Sequence, residues 1–250
     1  MPYALETIGL ERHFEGIVAT NSVSLAVKRG SRRALIGPNG AGKTTIINLI
    51  SGMLRPNAGI VKLDGRDVTD EPADERVRLG LVRTFQINQL FAGLTPLETI
   101  GLAVSERLGA GADWWRLVGR KPRVVDEIVD VLERFGLTDV MYERTSDLAY
   151  GKQRLLEIAL AIACKPRVLL LDEPAAGVPE TERRELLDMI ANLPDDVTVL
   201  LIEHDMDLVF SFADSITVLV NGTVFVEGPP DEVARDPRVK AVYLGETFDA

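Results

Sequence analysis

Apolar positions in the first third of the chain fall into short runs. Ala4–Leu10, Ser22–Val27 and Arg32–Ile36 are rich in Val, Ile, Leu or small residues and are separated by glycine and polar turns, so each reads as a strand. Ile36 leads into a glycine-rich loop, after which Lys43–Met53 has helical length and helix-spaced apolar positions. Gly59–Leu63 and Leu81–Phe85 are further predicted strands, with Asp64-Gly65 as a turn. The pattern is that of a mixed β region rather than strict strand–helix alternation.

The period changes between about Thr95 and Ile162. Leu97, Ile100 and Leu102–Val104, then Val124, Val125, Ile128, Val129, Leu132 and Phe135, recur at helical spacing, and Gly136 supplies a helix stop. The looser GAGADWWRLVGRKP between these runs carries the paired Trp114 and Trp115. We read residues 92–163 as a helical lobe inserted in an α/β core. Beyond it, Val168–Leu171 and Val197–Ile202 are near-continuous apolar runs, the pattern of parallel strands covered on both faces, with Glu182–Asn192 as a crossover helix. Ser215–Val220 and Thr223–Val226 flank Asn221-Gly222, a hairpin signal, and residues 228–250 read as a tail of short helices.

With 250 residues the chain makes one large domain, or a domain with an inserted lobe. The single cysteine, Cys164, excludes an internal disulfide and a cysteine-built metal site, and two histidines exclude a multi-histidine one. One cysteine also fits a reducing cytoplasm. A net charge of −10, with 38 acids against 28 bases, argues against nucleic acid as a partner. The opening MPYALETIGLERHFEG has no basic head followed by an apolar stretch and does not read as a signal peptide. No run of about 18 apolar residues occurs, so any membrane role is expected to come through another chain.

The glycine-rich loop carries the first chemistry. Gly37, Pro38, Asn39, Gly40, Ala41, Gly42, Lys43, Thr44 and Thr45 read GPNGAGKTT, satisfying G-x-x-x-x-G-K-[ST] between a predicted strand and a predicted helix. Glycines let backbone N–H groups wrap a phosphate, Lys43 adds a cation, the Thr44 hydroxyl is placed to ligate Mg²⁺, and the helix aims its positive end at the phosphates. The strand Val168–Leu171 ends in Asp172-Glu173. In a chain with a phosphate loop, this pair reads as an Mg²⁺-holding carboxylate, Asp172, and a general base for the attacking water, Glu173.

Taken in order along the chain, the motifs resemble the ABC ATPase family over essentially the whole length. Phe14 occupies the position of the family's adenine-stacking aromatic. Gln86, in RTFQ, matches the glutamine that links the Mg²⁺ site to the helical lobe and serves both site and metal. LAYGKQR, with Ala149, Tyr150, Gly151 and Lys152, corresponds to the signature motif, and His204 matches the histidine that contacts the γ-phosphate. The resemblance implies an α/β P-loop fold with an antiparallel β subdomain and the inserted helical subdomain. It implies ATP and Mg²⁺ as cofactors, and a head-to-tail dimer in which the signature helix faces the γ-phosphate held by a second ATPase subunit, identical or paralogous. Departures are marked. Ala149 stands in place of the usual serine, Tyr150 in place of a glycine and Lys152 in place of glutamine, and the AAGVPE run lacks the usual aspartate. For Lys152 two readings stand, a favourable charge near ATP and a solvated lysine.

LAYG, DEPAAG, IEHDM and the closing DPRVKAVYLGE resemble the ATPases of the high-affinity branched-chain amino-acid importers of bacteria and archaea. That resemblance implies transmembrane permease subunits, a periplasmic or extracellular substrate-binding protein, and a position on the cytoplasmic face of the inner membrane. The face formed by Phe85–Gly93 and the insert is the expected contact with the membrane subunit. Trp114 and Trp115 either pack under the insert or dock against that subunit. The competing readings are a lipid-export ATPase of the same fold and a non-transport ABC regulatory module.

Overall fold

A computed structural model describes residues 3–84, 90–109 and 122–244. Phe85, Gln86, Trp114 and Trp115 lie outside the described residues. By backbone proximity the chain falls into two compact units. The first comprises the residues up to Arg83, Arg167–Glu173 and those from Pro194 onward. The second comprises Thr84–Pro166 and Pro174–Leu193.

The first unit holds two sheets. Strands β1 (Tyr3–Phe14) and β2 (Ile17–Lys28) form a long antiparallel hairpin closed at Phe14–Ile17. On its other side β1 pairs antiparallel with β4 (Ala58–Leu63), in the register Leu5 to Leu63. The two-residue β5 (Arg66–Asp67) follows the Asp64-Gly65 turn and completes the order β2-β1-β4-β5. The second sheet also contains β3 (Arg32–Ile36), β6 (Leu81–Arg83), β7 (Val168–Asp172), β8 (Thr198–Ile202), β9 (Ser215–Val220) and β10 (Thr223–Gly228). Its order is β10-β9-β3-β8-β7-β6, parallel except for the β9–β10 hairpin.

Every residue of β7 and β8 is buried, as the unbroken apolar runs predict. Helix α1 (Lys43–Ser51) supplies Ile46, Ile47, Leu49 and Ile50 to one core cluster that also contains Leu5, Leu10 and Val61 of the antiparallel sheet and Leu170 and Leu200 of the parallel one. A second cluster joins Ala34, Ile36, Ile216 and Val218 to Val209 of α7 (Met206–Phe212), Val233 of α8 (Pro230–Arg235) and Val239 of α9 (Pro237–Leu244).

The second unit is helical among the described residues. Helix α3 (Pro96–Arg107) starts with a capping box, in which the Thr95 side chain accepts the Glu98 N–H while Glu98 accepts the Thr95 N–H. Ile100 and Val104 of α3, Ile128 and Leu132 of α4 (Pro122–Arg134), and Leu155, Leu156 and Ile158 of α5 (Tyr150–Ala163) are buried. Helix α5 begins two residues before the predicted Lys152 start. Helix α6 (Glu180–Ala191) buries Leu186 and Ile190.

Helix α2 (Ala73–Arg78) has no apolar period to announce it. Its Arg76 is 1% exposed and donates to the carbonyls of Leu49 and Ile50 at 2.7 Å each, and to those of Thr69 and Glu71 at 2.8 and 2.9 Å. The guanidinium thus answers carbonyls at the C-terminal end of α1, where a cation also meets the negative end of the helix dipole. Arg76→Met strips these acceptors of their partner and is expected to cost about 3 kcal/mol of stability. That loss would appear as an earlier urea midpoint, and an unchanged midpoint would contradict it.

Candidate active site

The phosphate loop runs from the end of β3 into α1. Its turn is closed by the Ala41 N–H on the Pro38 carbonyl at 3.2 Å, and the β9–β10 turn buttresses it through the Gly222 N–H on the Ala41 carbonyl at 3.0 Å. Gly42, the residue before α1, has φ +100°, and a Cβ there would run into the Ala19 carbonyl. Both facts require glycine. Asn39 and Gly40 stand exposed at the loop crest, with the Thr44 side chain also open to solvent and Thr45 half-buried. Lys43 is 7% exposed, and its ammonium donates to the carbonyls of Gly37 at 2.8 Å and Pro38 at 3.0 Å, lying across the loop's own cradle. Burial pushes this ammonium below the usual lysine range, while Glu173 and Asp172 pull it the other way.

Strands β7 and β8 end side by side, with Asp172 paired to Ile202. Asp172 is 2% exposed, and its Oδ2 accepts from the Arg83 guanidinium at 2.7 Å. Arg83 also donates to Asn48 of α1 at 2.6 Å, so one half-buried arginine ties β6, the tip of β7 and the phosphate-loop helix together. Glu173 adopts a left-handed backbone, φ 49°, held by its N–H on the Ile202 carbonyl at 2.9 Å. A non-glycine residue in this region carries a cost of about 1–2 kcal/mol. The turn lays the carboxylate 3.0 Å from the Nε2 of His204, which is half-exposed. Glu203, just before His204, is 3% exposed.

One unit therefore brings Lys43, Asp172, Glu173 and His204 to the tips of its parallel strands. In the same unit Phe14 ends β1, 37% exposed, with the Arg12 guanidinium 4.7 Å from its ring centre. Sequence reasoning passed over Arg83 and Glu203. Each carried a signal, a charge inside or directly after an apolar strand.

The signature residues lie in the second unit. Ala149 precedes the first turn of α5 and supplies no side-chain cap. The Gly151 N–H instead donates to Glu182 of α6 at 2.6 Å, and a Cβ at Gly151 would come within 2.8 Å of the Glu182 Cβ. Lys152 is neither free in solvent nor turned outward. Its ammonium donates to the Gly136 carbonyl at 2.7 Å and to Glu185 at 3.1 Å. The Tyr150 hydroxyl reaches the Ala176 carbonyl at 3.4 Å, and its ring lies 5.5 Å from the Arg154 guanidinium.

Among the described residues no cluster of three His, Cys, Asp or Glu side chains suits a metal. Mg²⁺ is commonly held by few protein ligands and by nucleotide phosphates. Thr44 and Asp172 are oxygen donors of the right hardness for it.

Comparison with known proteins agrees with this geometry. A family model described as ABC transporter matches residues 20–176, and one described as branched-chain amino acid ATP-binding cassette transporter matches residues 223–249. The chain is similar to the high-affinity branched-chain amino acid transport ATP-binding protein BraF of Pseudomonas aeruginosa, with 40% identity over 97% of this chain and 98% of that protein. It is equally similar to LivG of Salmonella typhimurium, a protein of the same description, with 40% identity over 95% and 96%. The solved ADP conformation of MJ1267, an ATP-binding cassette of an ABC transporter, is 30% identical over 98% of this chain and 100% of that one, with a TM-score of 0.83. The chain belongs to the ABC transporter family, as one of its ATP-binding cassette ATPases.

Proposed function

We propose that this ATPase powers the import of branched-chain amino acids, or of related small polar compounds, from the cytoplasmic face of a membrane. The observation that carries the reading is the meeting of Lys43, Asp172, Glu173 and His204 at the strand tips. The family match favours this importer reading over the lipid-export and regulatory alternatives. No described helix is long and apolar enough to cross a bilayer, so the membrane passage belongs to permease subunits. An extracellular binding protein delivers the cargo to them.

In this proposal Phe14 stacks on adenine, and the loop Gly37–Thr45 wraps the phosphates with its N–H groups. The Lys43 ammonium turns from the Gly37 and Pro38 carbonyls to the phosphate oxygens, exchanging two neutral acceptors for charged ones. Thr44 and Asp172 would hold Mg²⁺, and the family resemblance adds Gln86 from outside the described residues; the bound ion would supply charge neutralisation to the phosphates. Glu173 takes the proton of the attacking water, and His204, beside Glu173, donates toward the γ-phosphate. Changing Glu173 to glutamine removes the base but leaves every phosphate contact. That variant is expected to bind ATP, lose hydrolysis by at least about 100-fold and accumulate as an ATP-bound dimer in gel filtration. Wild-type turnover would remove Glu173 from the role.

The second ATPase subunit completes each site by turning the N-terminus of its α5, with Ala149, Tyr150 and Gly151, toward the γ-phosphate. The Gly151 N–H that this arrangement needs is held by Glu182. The phosphate therefore displaces one carboxylate from the helix end, where two anions do not share a single donor. In the Glu173→Gln background, Glu182→Gln is expected to bring the dimer on at several-fold less ATP. A need for more ATP would show that Glu182 supports the closed form instead.

The permease contact falls on the second unit. Phe91 is 69% exposed and lines an apolar hollow of about 510 Å³ with Ala92, Gly93, Leu94 and Leu102. An exposed aromatic over such a hollow suits an inserted partner segment. Phe91→Ser is expected to lower transport in reconstituted vesicles at least about tenfold while basal ATPase holds. Equal losses of both would contradict a coupling role.

A further inference from the structure

Glu203 is a buried carboxylate that the proposed reaction does not use. It sits directly after β8, 3% exposed, one strand over from Asp172. Its Oε2 accepts the N–H of His204 at 2.9 Å and that of Asp205 at 3.4 Å. Asp205 in turn caps α7 by accepting the Leu208 N–H at 3.1 Å. The segment from β8 into α7 is thus pinned from inside by one carboxylate and handed to the helix by the next.

The imidazole of His204 needs this support. Its side chain is 50% exposed, so packing does not fix it, yet its Nε2 stands 3.0 Å from Glu173 Oε1. The position of a half-exposed ring follows the position of its backbone. Where the chain leaves β8, the amides of His204 and Asp205 turn inward, away from the strand ladder. A carboxylate answers two such donors with charge-assisted bonds roughly twice as strong as neutral ones.

We propose that Glu203 is a positioning residue for His204, holding the imidazole on Glu173 through the backbone amides of residues 204 and 205. An apolar side chain at this point takes the Glu203 acceptor away from both amides, and the loop then samples other paths. Glutamine keeps an oxygen acceptor and preserves much of the arrangement. The inference rests on the proposed role of His204 in hydrolysis.

The chain has two histidines, His13 and His204, so an imidazole NMR spectrum of histidine-labelled protein contains two sets of signals, and His204→Ala identifies one by its loss. In Glu203→Ala the His204 signals are expected to shift and broaden while those of His13 stay in place. ATP turnover is expected to fall about 30-fold, with KM changed less than about twofold. Glu203→Gln is expected to stay within a few-fold of wild type, and serves the same NMR comparison if the alanine variant fails to fold. Glu203→Ala should add little to the loss already caused by His204→Ala, because the two act as one unit. Unchanged His204 signals, or losses that multiply in the double variant, would overturn the inference. If His204→Ala alone leaves turnover intact, the hydrolytic role of His204 fails, and the spectra still decide whether Glu203 holds it.

Discussion

A charge taken out of water costs several kcal/mol unless an opposite charge or a set of hydrogen bonds meets it. The place where β3, β7 and β8 end holds three such charges, on Lys43, Asp172 and Glu203. Each is met differently. Lys43 lies on the carbonyls of its own loop, Asp172 on the Arg83 guanidinium, and Glu203 on the amides of its neighbours. The parallel sheet makes these meetings possible, because its strands end together and direct their last residues to one edge. The antiparallel sheet and α1 share a core with it, and Arg76 closes the far end of that helix. The framework thus meets each of these charges within the protein before any phosphate arrives.

The same constraint explains the two halves of the chemistry. Lys43 and the helix end at Gly151 both offer donors suited to phosphate, and both have those donors engaged by the protein's own oxygens. In the proposed function, binding is then an exchange of partners rather than the filling of bare sites. The left-handed Glu173 belongs to the same economy of placement. Its strained turn puts the carboxylate against His204, where a relaxed strand continuation would carry it elsewhere.

Much of this was legible in the sequence where one local rule governed the outcome. Val168–Leu171 and Val197–Ile202 read as strands because near-continuous apolar runs need cover on both faces, and Asn221-Gly222 forms its hairpin because it accepts positive φ. Helix α2 was not legible, since its sequence ADERVR has no apolar face and its place depends on Arg76 reaching carbonyls far along the chain. Helix α7 was missed for a related reason, its short run being capped by Asp205 within a loop read only for its histidine. At the site, the phosphate-loop residues could be named from spacing, Asp172 and Glu173 from their place at a strand end, and the others from the family resemblance. Arg83 and Glu203 carried only the signal of a charge at the end of an apolar strand, and Glu182 carried none, because its partner 31 positions away is revealed only by folding.

In the proposed function two chains complete each other's sites. The most direct test is the ATP hydrolysis rate per chain, measured across a wide range of protein concentration at saturating ATP. A site built by two subunits predicts a rate per chain that rises steeply with concentration and then levels as dimers fill. A rate per chain that stays constant down to the lowest concentration would mean that one chain hydrolyses ATP alone, and would contradict the account.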